Sequence, residues 1–252
     1  MLRYRIIPTL LLKGDGLVKT VQFKNPRYIG DPINAVKIFN EKEVDELIIY
    51  DILATTSKQE IRFSKIEEIV SEAFMPVGYG GGINSLDQIE KLFSLGVEKI
   101  VLNSSAHTNQ KLITQAAEVY GNQSIIVAVD VRKDIFGTYR MYHNSGSVKS
   151  GQDLKKALIQ FVDLGAGEII INSIDRDGTM RGYDLDLIRL ANEVVTVPLV
   201  VCGGAGSVNH FSQAIQAGAS AVAAGSMFVF HGKHRAVLIS YPKYSELEDI
   251  LN

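Results

Sequence analysis

Four aspartates stand directly behind apolar runs. Asp51 closes ELIIYD, Asp130 closes SIIVAVD, and Asp175 and Asp177 follow EIIINSI. If such a run is a strand, a carboxylate at its end is partly desolvated and usable for proton transfer. Asp130 is the candidate for that role, with a structural aspartate bonding a loop backbone as the alternative. Two glycine stretches point to a second chemistry. VGYGGGI carries Gly81 and Gly82, and VVCGGAG carries Gly203 and Gly204. Backbone N–H groups at glycine turns and helix N-termini attract phosphate, and glycine lets an anion approach the chain closely. Asp177 is followed by Gly178 and Thr179, where the backbone can also turn around a phosphate; a plain Asp-Gly turn is the alternative.

The glycine stretches belong to a repeat. Residues 81–104 and 203–226 align at an offset of 122, which sets Gly81 on Gly203, Gly82 on Gly204, Gly96 on Gly218 and Ser104 on Ser226. Glu46 and Glu168 share that offset, each at the start of its run. RIIPTLL and SIIVAVD align at 119, which sets Leu11 opposite Asp130. Gly96 and Gly218 read as helix C-caps. The repeat by itself is compatible with duplication of structure alone.

The elements that must position these residues alternate along the chain. Strands are predicted at 5–12, 46–52, 75–82, 99–104, 124–131, 168–174, 197–204 and 220–226. Helices are predicted at 31–44, 59–74, 85–95, 107–119, 153–165, 184–194 and 207–217, with a last short helix at 244–252. Pro8 is a blemish in the first strand, because it donates no ladder hydrogen bond. The polar segment 15–30 reads as a long loop, and 133–150 as a loop or hairpin above the strands. The strand runs are continuously apolar, as expected where both faces are covered. Eight such units in 252 residues predict a single-domain α/β fold, a (β/α)₈ barrel made of two half-barrels at approximately 1–120 and 121–252. A doubly wound open sheet is the competitor; two equal four-strand halves favour closure. In such a barrel the groups that carry chemistry lie at the C-terminal strand ends.

Composition excludes several classes. A net charge of −2 gives no footprint for nucleic acid or a membrane surface. No apolar run approaches the roughly 20 residues of a spanning helix. The N-terminal stretch lacks a small-residue cleavage site and does not read as a signal peptide. The single cysteine, Cys202, excludes an internal disulfide, fits a reducing cytoplasm, and reads as inert packing in a buried strand. The five histidines show no metal-ligand spacing, so neither a metal nor a cofactor is expected.

The segments NSIDRDGTMRGYD (172–184), VVCGGAG (200–206), VGYGGGI (77–83), VLNSSA (101–106) and AVDVR (128–132) resemble the synthase (cyclase) subunit of imidazole-glycerol-phosphate synthase. The resemblance spans essentially the whole chain, and SIDRDGT–GYD is its specific signature. It implies a (β/α)₈ barrel that receives ammonia from a glutaminase partner on its N-terminal face. It implies that ammonia crosses the barrel core to a bisphosphorylated, ribulosyl aminoimidazole-carboxamide nucleotide, which is cleaved and cyclised. Carried over to this chain, one phosphate site comprises Gly81, Gly82, Asn103 and Ser104. The other comprises Asp177, Gly178, Gly204 and Ser226. Lys19 matches a mobile first-loop lysine that folds over substrate. Arg5, Glu46, Lys99 and Glu168 match a ring of alternating charges that gates ammonia. Without the resemblance these four would pass for surface ion pairs of little worth.

One position departs from the family. Its cyclase pairs an aspartate ending strand one with another ending strand five. Asp130 is the second, but Leu11 stands at the first, and a general acid or base contributes roughly 10²–10⁴-fold. Asp15 is near in sequence but on the following loop, and is not a substitute. The leading expectation is a paralogue that keeps the phosphate sites, ammonia gate and glutaminase face, and serves sugar amidation in surface-polysaccharide synthesis. A sugar amidotransferase would then be a further partner. Two alternatives stand beside it: a working cyclase in histidine biosynthesis, and a non-catalytic regulatory subunit.

Overall fold

The computed structural model of the chain describes residues 4–57 and 59–251. The first strand, β1 (Arg5–Lys13), runs directly into an antiparallel hairpin, β2 (Gly16–Val21) and β3 (Lys24–Gly30). Helix α1 (Pro32–Glu41) leads to β4 (Leu47–Asp51), α2 (Phe63–Ser71), β5 (Val77–Gly80), α3 (Leu86–Ser94) and β6 (Lys99–Leu102). A short α4 (Ser104–Thr108) precedes α5 (Lys111–Tyr120), and β7 (Ile125–Lys133) opens the second half. There β8 (Tyr139–His143) and β9 (Val148–Lys149) form a second hairpin. Then come α6 (Leu154–Asp163), β10 (Glu168–Ser173), α7 (Leu185–Asn192), β11 (Leu199–Cys202), α8 (Val208–Gln216) and β12 (Ala221–Ala224). The chain finishes with α9 (Ser226–Val229), the small hairpin β13 (Phe230–His231) and β14 (Ala236–Val237), and α10 (Tyr244–Leu251).

Eight parallel strands close into a barrel. The order is β1, β4, β5, β6, β7, β10, β11, β12 and back to β1. The helix starts follow from local chemistry. Asp31, Ser85, Asp153 and Asp184 each accept a hydrogen bond from the backbone N–H three residues on, a cap that stabilises a helix by about 1 kcal/mol. Two apolar layers follow. The larger lies between strands and helices and takes the big rings Phe39, Phe161, Phe211 and Phe228. The smaller fills the lumen with Ile7, Ile48, Ile126, Ile170 and Val200, and with the small Ala128, Ala221 and Ala223.

The register makes the half-barrel repeat physical. Leu11 pairs with Tyr50 across β1–β4, and Asp130 pairs with Asn172 across β7–β10. In each half the first strand overshoots the barrel and folds into a hairpin, with Leu11 opposite Val18 and Asp130 opposite Tyr142. The long loop expected at 15–30 is therefore a hairpin. GLVKTV buries Leu17 and Val18, and the overshoot of β1 gives it a partner edge. The helix expected at 107–119 is two helices, broken at Asn109, whose ψ of 69° leaves the helical region. Pro8 sits within β1, in register with Ala224. Beyond the eighth strand, α9 and the β13–β14 hairpin were not expected. Asn252, the end of the expected tail helix, lies outside the described residues.

Candidate functional site

A cavity of about 350 Å³ opens at the C-terminal end of the barrel. Asp130, Asn103 and Asn172 form one wall. The Asn172 amide donates to Asp130 Oδ1 at 3.0 Å, and the Asn103 amide donates to Asp130 Oδ2 at 3.1 Å and to the Ala128 carbonyl at 2.9 Å. Burial pushes the Asp130 carboxyl up to about 7, against the pull of the Asn172 and Asn103 hydrogen bonds and with help from the Asp177 charge. Near neutral pH such a group exchanges a proton readily, as general acid–base catalysis requires.

The other three aspartates are already engaged. Asp51 Oδ1 accepts from the Leu53 and Ala54 backbone N–H groups at 2.9 and 3.2 Å and caps its own turn. Asp175 accepts from the Lys133 N–H at 2.9 Å and lies 3.5 Å from Arg132. Asp177 is held 2.9 Å from Lys19 Nζ and accepts from the Thr20 hydroxyl at 3.3 Å. The exposed Asp15 carboxylate pairs with Arg62 at 2.8 Å, away from the cavity.

In the other half of the repeat, all three members of the Asp130 wall have counterparts of a different type. At the repeat offsets Leu11 stands for Asp130, Tyr50 for Asn172 and Gly225 for Asn103. Leu11 and Tyr50 both line the cavity. The Tyr50 ring lies over Gly80, where an added Cβ would stand 3.0 Å from the ring. Burial raises the Tyr50 hydroxyl well above its usual range, with nearby acidic groups adding to the effect, so it is a neutral phenol. Gly225 leaves the space through which Lys19 reaches Asp177; an added Cβ would stand 3.0 Å from Lys19 Cε. Tyr50, Asn172 and Gly225 were absent from the sequence-derived site. The offset of 122 that links Asn103 to Gly225 and Tyr50 to Asn172 was the signal for them.

The two glycine cradles differ. Gly81, Gly82, Asn103 and Ser104 all line the cavity. Gly81 has φ 132° and lies against the Asp51 carbonyl, where an added Cβ would approach to 2.4 Å. Ser104 Oγ accepts from the Asn144 N–H at 3.0 Å. In the second cradle only Asp177 reaches the cavity wall. Gly178, Gly204 and Ser226 are buried, and Ser226 Oγ has no hydrogen-bond partner. The first hairpin covers this cradle: the Gln22 N–H donates to the Asp177 carbonyl at 3.0 Å, and Gly178 packs against Thr20 and Val21.

At the barrel floor four charged side chains close a ring. Arg5 lies 2.5 Å from Glu46 and 2.7 Å from Glu168, and Lys99 lies 2.8 Å from Glu46 and 3.0 Å from Glu168. The Glu46 and Glu168 side chains are only 3% and 5% exposed, so these are not loose surface pairs. Above the ring the apolar lumen leads toward the cavity. Cys202 lines the cavity as well as packing in its strand, and burial pushes its thiol up to about 12, so it stays protonated.

Comparison with known proteins agrees with this architecture. The histidine biosynthesis protein family matches residues 5–235. A relative from Pseudomonas aeruginosa, provisionally named imidazole glycerol phosphate synthase subunit hisF2, is 49% identical over 98% of this chain and 99% of its own. A provisionally named subunit HisF from Leptospira borgpetersenii is 49% identical over 98% of both chains. Imidazole glycerol phosphate synthase subunit HisF of Thermobifida fusca is 37% identical over 91% of both. The chain belongs to the synthase-subunit family of imidazole glycerol phosphate synthase.

Two features carried over from that family differ in this synthase-family chain. Lys19 is not on an open loop; it lies on β2, is 6% exposed and is ion-paired with Asp177. Gly178 is closed off by the hairpin that bears Lys19, and the Asp177 carboxylate, although at the cavity wall, is taken up by Lys19. The physical reason is the strand pairing of residues 16–30, which holds Lys19 and Thr20 against the turn after β10. No helix among the described residues is long and apolar enough to cross a membrane.

Proposed function

We propose that this synthase-family subunit accepts ammonia from a glutaminase docked on its N-terminal face. Ammonia passes the ring of Arg5, Glu46, Lys99 and Glu168 and crosses the apolar lumen to the cavity. There a phosphorylated ligand is held by Gly81, Gly82, Asn103 and Ser104, and by Asp177, Gly178, Gly204 and Ser226 once the hairpin lifts. Lys19 then exchanges Asp177 for the ligand. The subunit acts in the cytoplasm and serves amidation of a sugar for surface polysaccharide, with a sugar amidotransferase as acceptor.

The observation that carries this reading is the contrast between the Asp130 wall and its counterpart in the other half of the repeat. Asp130 keeps both amides that hold it, whereas Leu11, Tyr50 and Gly225 retain neither a carboxylate nor an amide. The names of the relatives fit a paralogue of the synthase subunit. Relatives at 47–49% identity carry provisional names, two of them with copy numbers, while relatives at 35–38% are named without qualification. The test is cyclisation of the bisphosphorylated aminoimidazole-carboxamide ribulosyl nucleotide with saturating ammonium. Turnover roughly 10²-fold or more below a complete cyclase is expected; a comparable rate overturns the proposal.

A second reading, a working cyclase in histidine biosynthesis, is favoured by Asp130 itself, which remains poised near 7. Growth of a cyclase-deficient histidine auxotroph supplied with this gene would support it.

A further inference from the structure

Outside the cavity, the rim of the second half gathers cations without carboxylates. Arg181 and Arg235 line a shallow cleft together with Val21, Gln22 and Thr179. Three segments build it: the end of β2, the turn after β10, and the β13–β14 hairpin. Neutral backbone carbonyls hold the Arg235, Arg27 and Arg176 guanidinium groups, and Arg181 is exposed at the cleft. Arg235 donates to the Thr179 carbonyl at 3.3 Å, Arg27 donates to the Arg235 carbonyl at 3.0 Å, and Arg176 donates to the Arg181 carbonyl at 3.5 Å. The Arg27 guanidinium also lies 5.3 Å over the Phe230 ring.

Among the described residues, none of these four arginines forms an ion pair with a carboxylate. The acidic groups of the same turn are engaged elsewhere, Asp177 by Lys19 and Asp175 by Arg132. Two guanidinium groups lining one cleft, on a chain of net charge −2, raise the local potential and call for a counter-charge. Planar guanidinium forks match the oxygens of phosphate. We propose that the Arg181–Arg235 cleft binds a phosphate group of a small molecule, at a site separate from the two cradles in the barrel mouth. Bound there, the anion bridges the Val21–Gln22 turn, the turn after β10 and the β13–β14 hairpin, and so fastens the first hairpin over Asp177 and Gly178.

The test is calorimetric titration of the whole chain with inorganic phosphate, pyrophosphate and ADP at low, fixed ionic strength. Two variants separate the sites: Arg181→Gln/Arg235→Gln in the cleft, and Ser104→Asp in the open cradle. Two classes of anion site are expected in the wild type. The double arginine variant loses one class, its affinity falling roughly tenfold or more as charge-assisted hydrogen bonds disappear, and Ser104→Asp loses the other. Binding of ADP tighter than phosphate assigns the cleft to the phosphate of a larger molecule, and equal binding assigns it to free phosphate; both support the site. An unchanged titration of the double variant overturns the proposal. So does failure of all three anions to bind the wild type, which leaves the rim to an acidic protein surface. The outcome is independent of the cyclisation assay, which does not involve these arginines.

Discussion

Replacing Asp130 by Asn should make the protein more stable at pH 8 and leave it unchanged near pH 4. The carboxyl titrates at about 7 in the folded chain against an ordinary 3.8. Across that window the folded protein holds a proton that the unfolded chain has released. Stability therefore falls as pH rises from about 4 to 7, and levels off above. Each unit of difference corresponds to about 1.4 kcal/mol, an upper limit of roughly 4 kcal/mol, and water in the open cavity reduces this to about 2 kcal/mol. The substitution is nearly isosteric. The new amide needs an acceptor where Asn172 now donates, and the unpartnered Asn172 Oδ1 supplies one when that amide turns over. Urea denaturation of both proteins at pH 5, 6, 7 and 8 reads the effect, because the difference between them cancels every other titrating group. A gain that grows with pH and saturates above 7 is expected. A difference that is flat from pH 5 to 8 would refute the claim that burial has raised this carboxyl.

Lys99→Met leaves Glu46 and Glu168 facing each other with only Arg5 between them, and should cost about 3 kcal/mol; a loss below 1 kcal/mol by urea denaturation would mean that water already neutralises the ring. Gly178→Ala places a Cβ 2.4 Å from the Thr20 carbonyl at φ 71°, so the first hairpin should lift. Faster trypsin cleavage at Lys19, Lys24 or Arg27 would report it. Leu11→Asp introduces a carboxylate with no amide to hold it, and should destabilise by roughly 1–3 kcal/mol at pH 8 but less at pH 5; equal losses at both pH values would show that the position is solvated. Burial and the His143 charge hold His107 down to about 4, so it should remain neutral at pH 5.5 in a histidine NMR titration. Its contribution to stability is present above about 6.5 and declines as pH falls toward 4.

Much of this molecule is legible in its sequence. The offset of 122 determined the duplicated barrel, because matched glycines and matched strand starts repeat wherever backbone geometry repeats. The same arithmetic singled out Leu11, since β1 and β7 must occupy equivalent places. The glycine turn after β5 was also readable as a place where the backbone is tightly approached, because Gly81 and Gly82 sit where no side chain fits. Polarity misled at residues 15–30. The outer strand of that hairpin, β3, is mostly exposed while β2 is mostly buried, and the pairing that makes it a hairpin comes from the overshoot of β1 past the barrel, with Leu11 opposite Val18.

What the tertiary structure alone decided is which charges are free. Sequence singled out Asp130 among four rim aspartates but assigned no partner to any of them. Folding assigns Asp51 to its own turn, Asp175 to Arg132 and Asp177 to Lys19, and leaves Asp130 between two amides in a poorly solvated wall. It likewise turns Arg5, Glu46, Lys99 and Glu168 from four scattered positions into one closed ring. A residue's charge is written in the chain, but its partner and its contact with water depend on residues tens to hundreds of positions away, and only closure of the barrel brings those together.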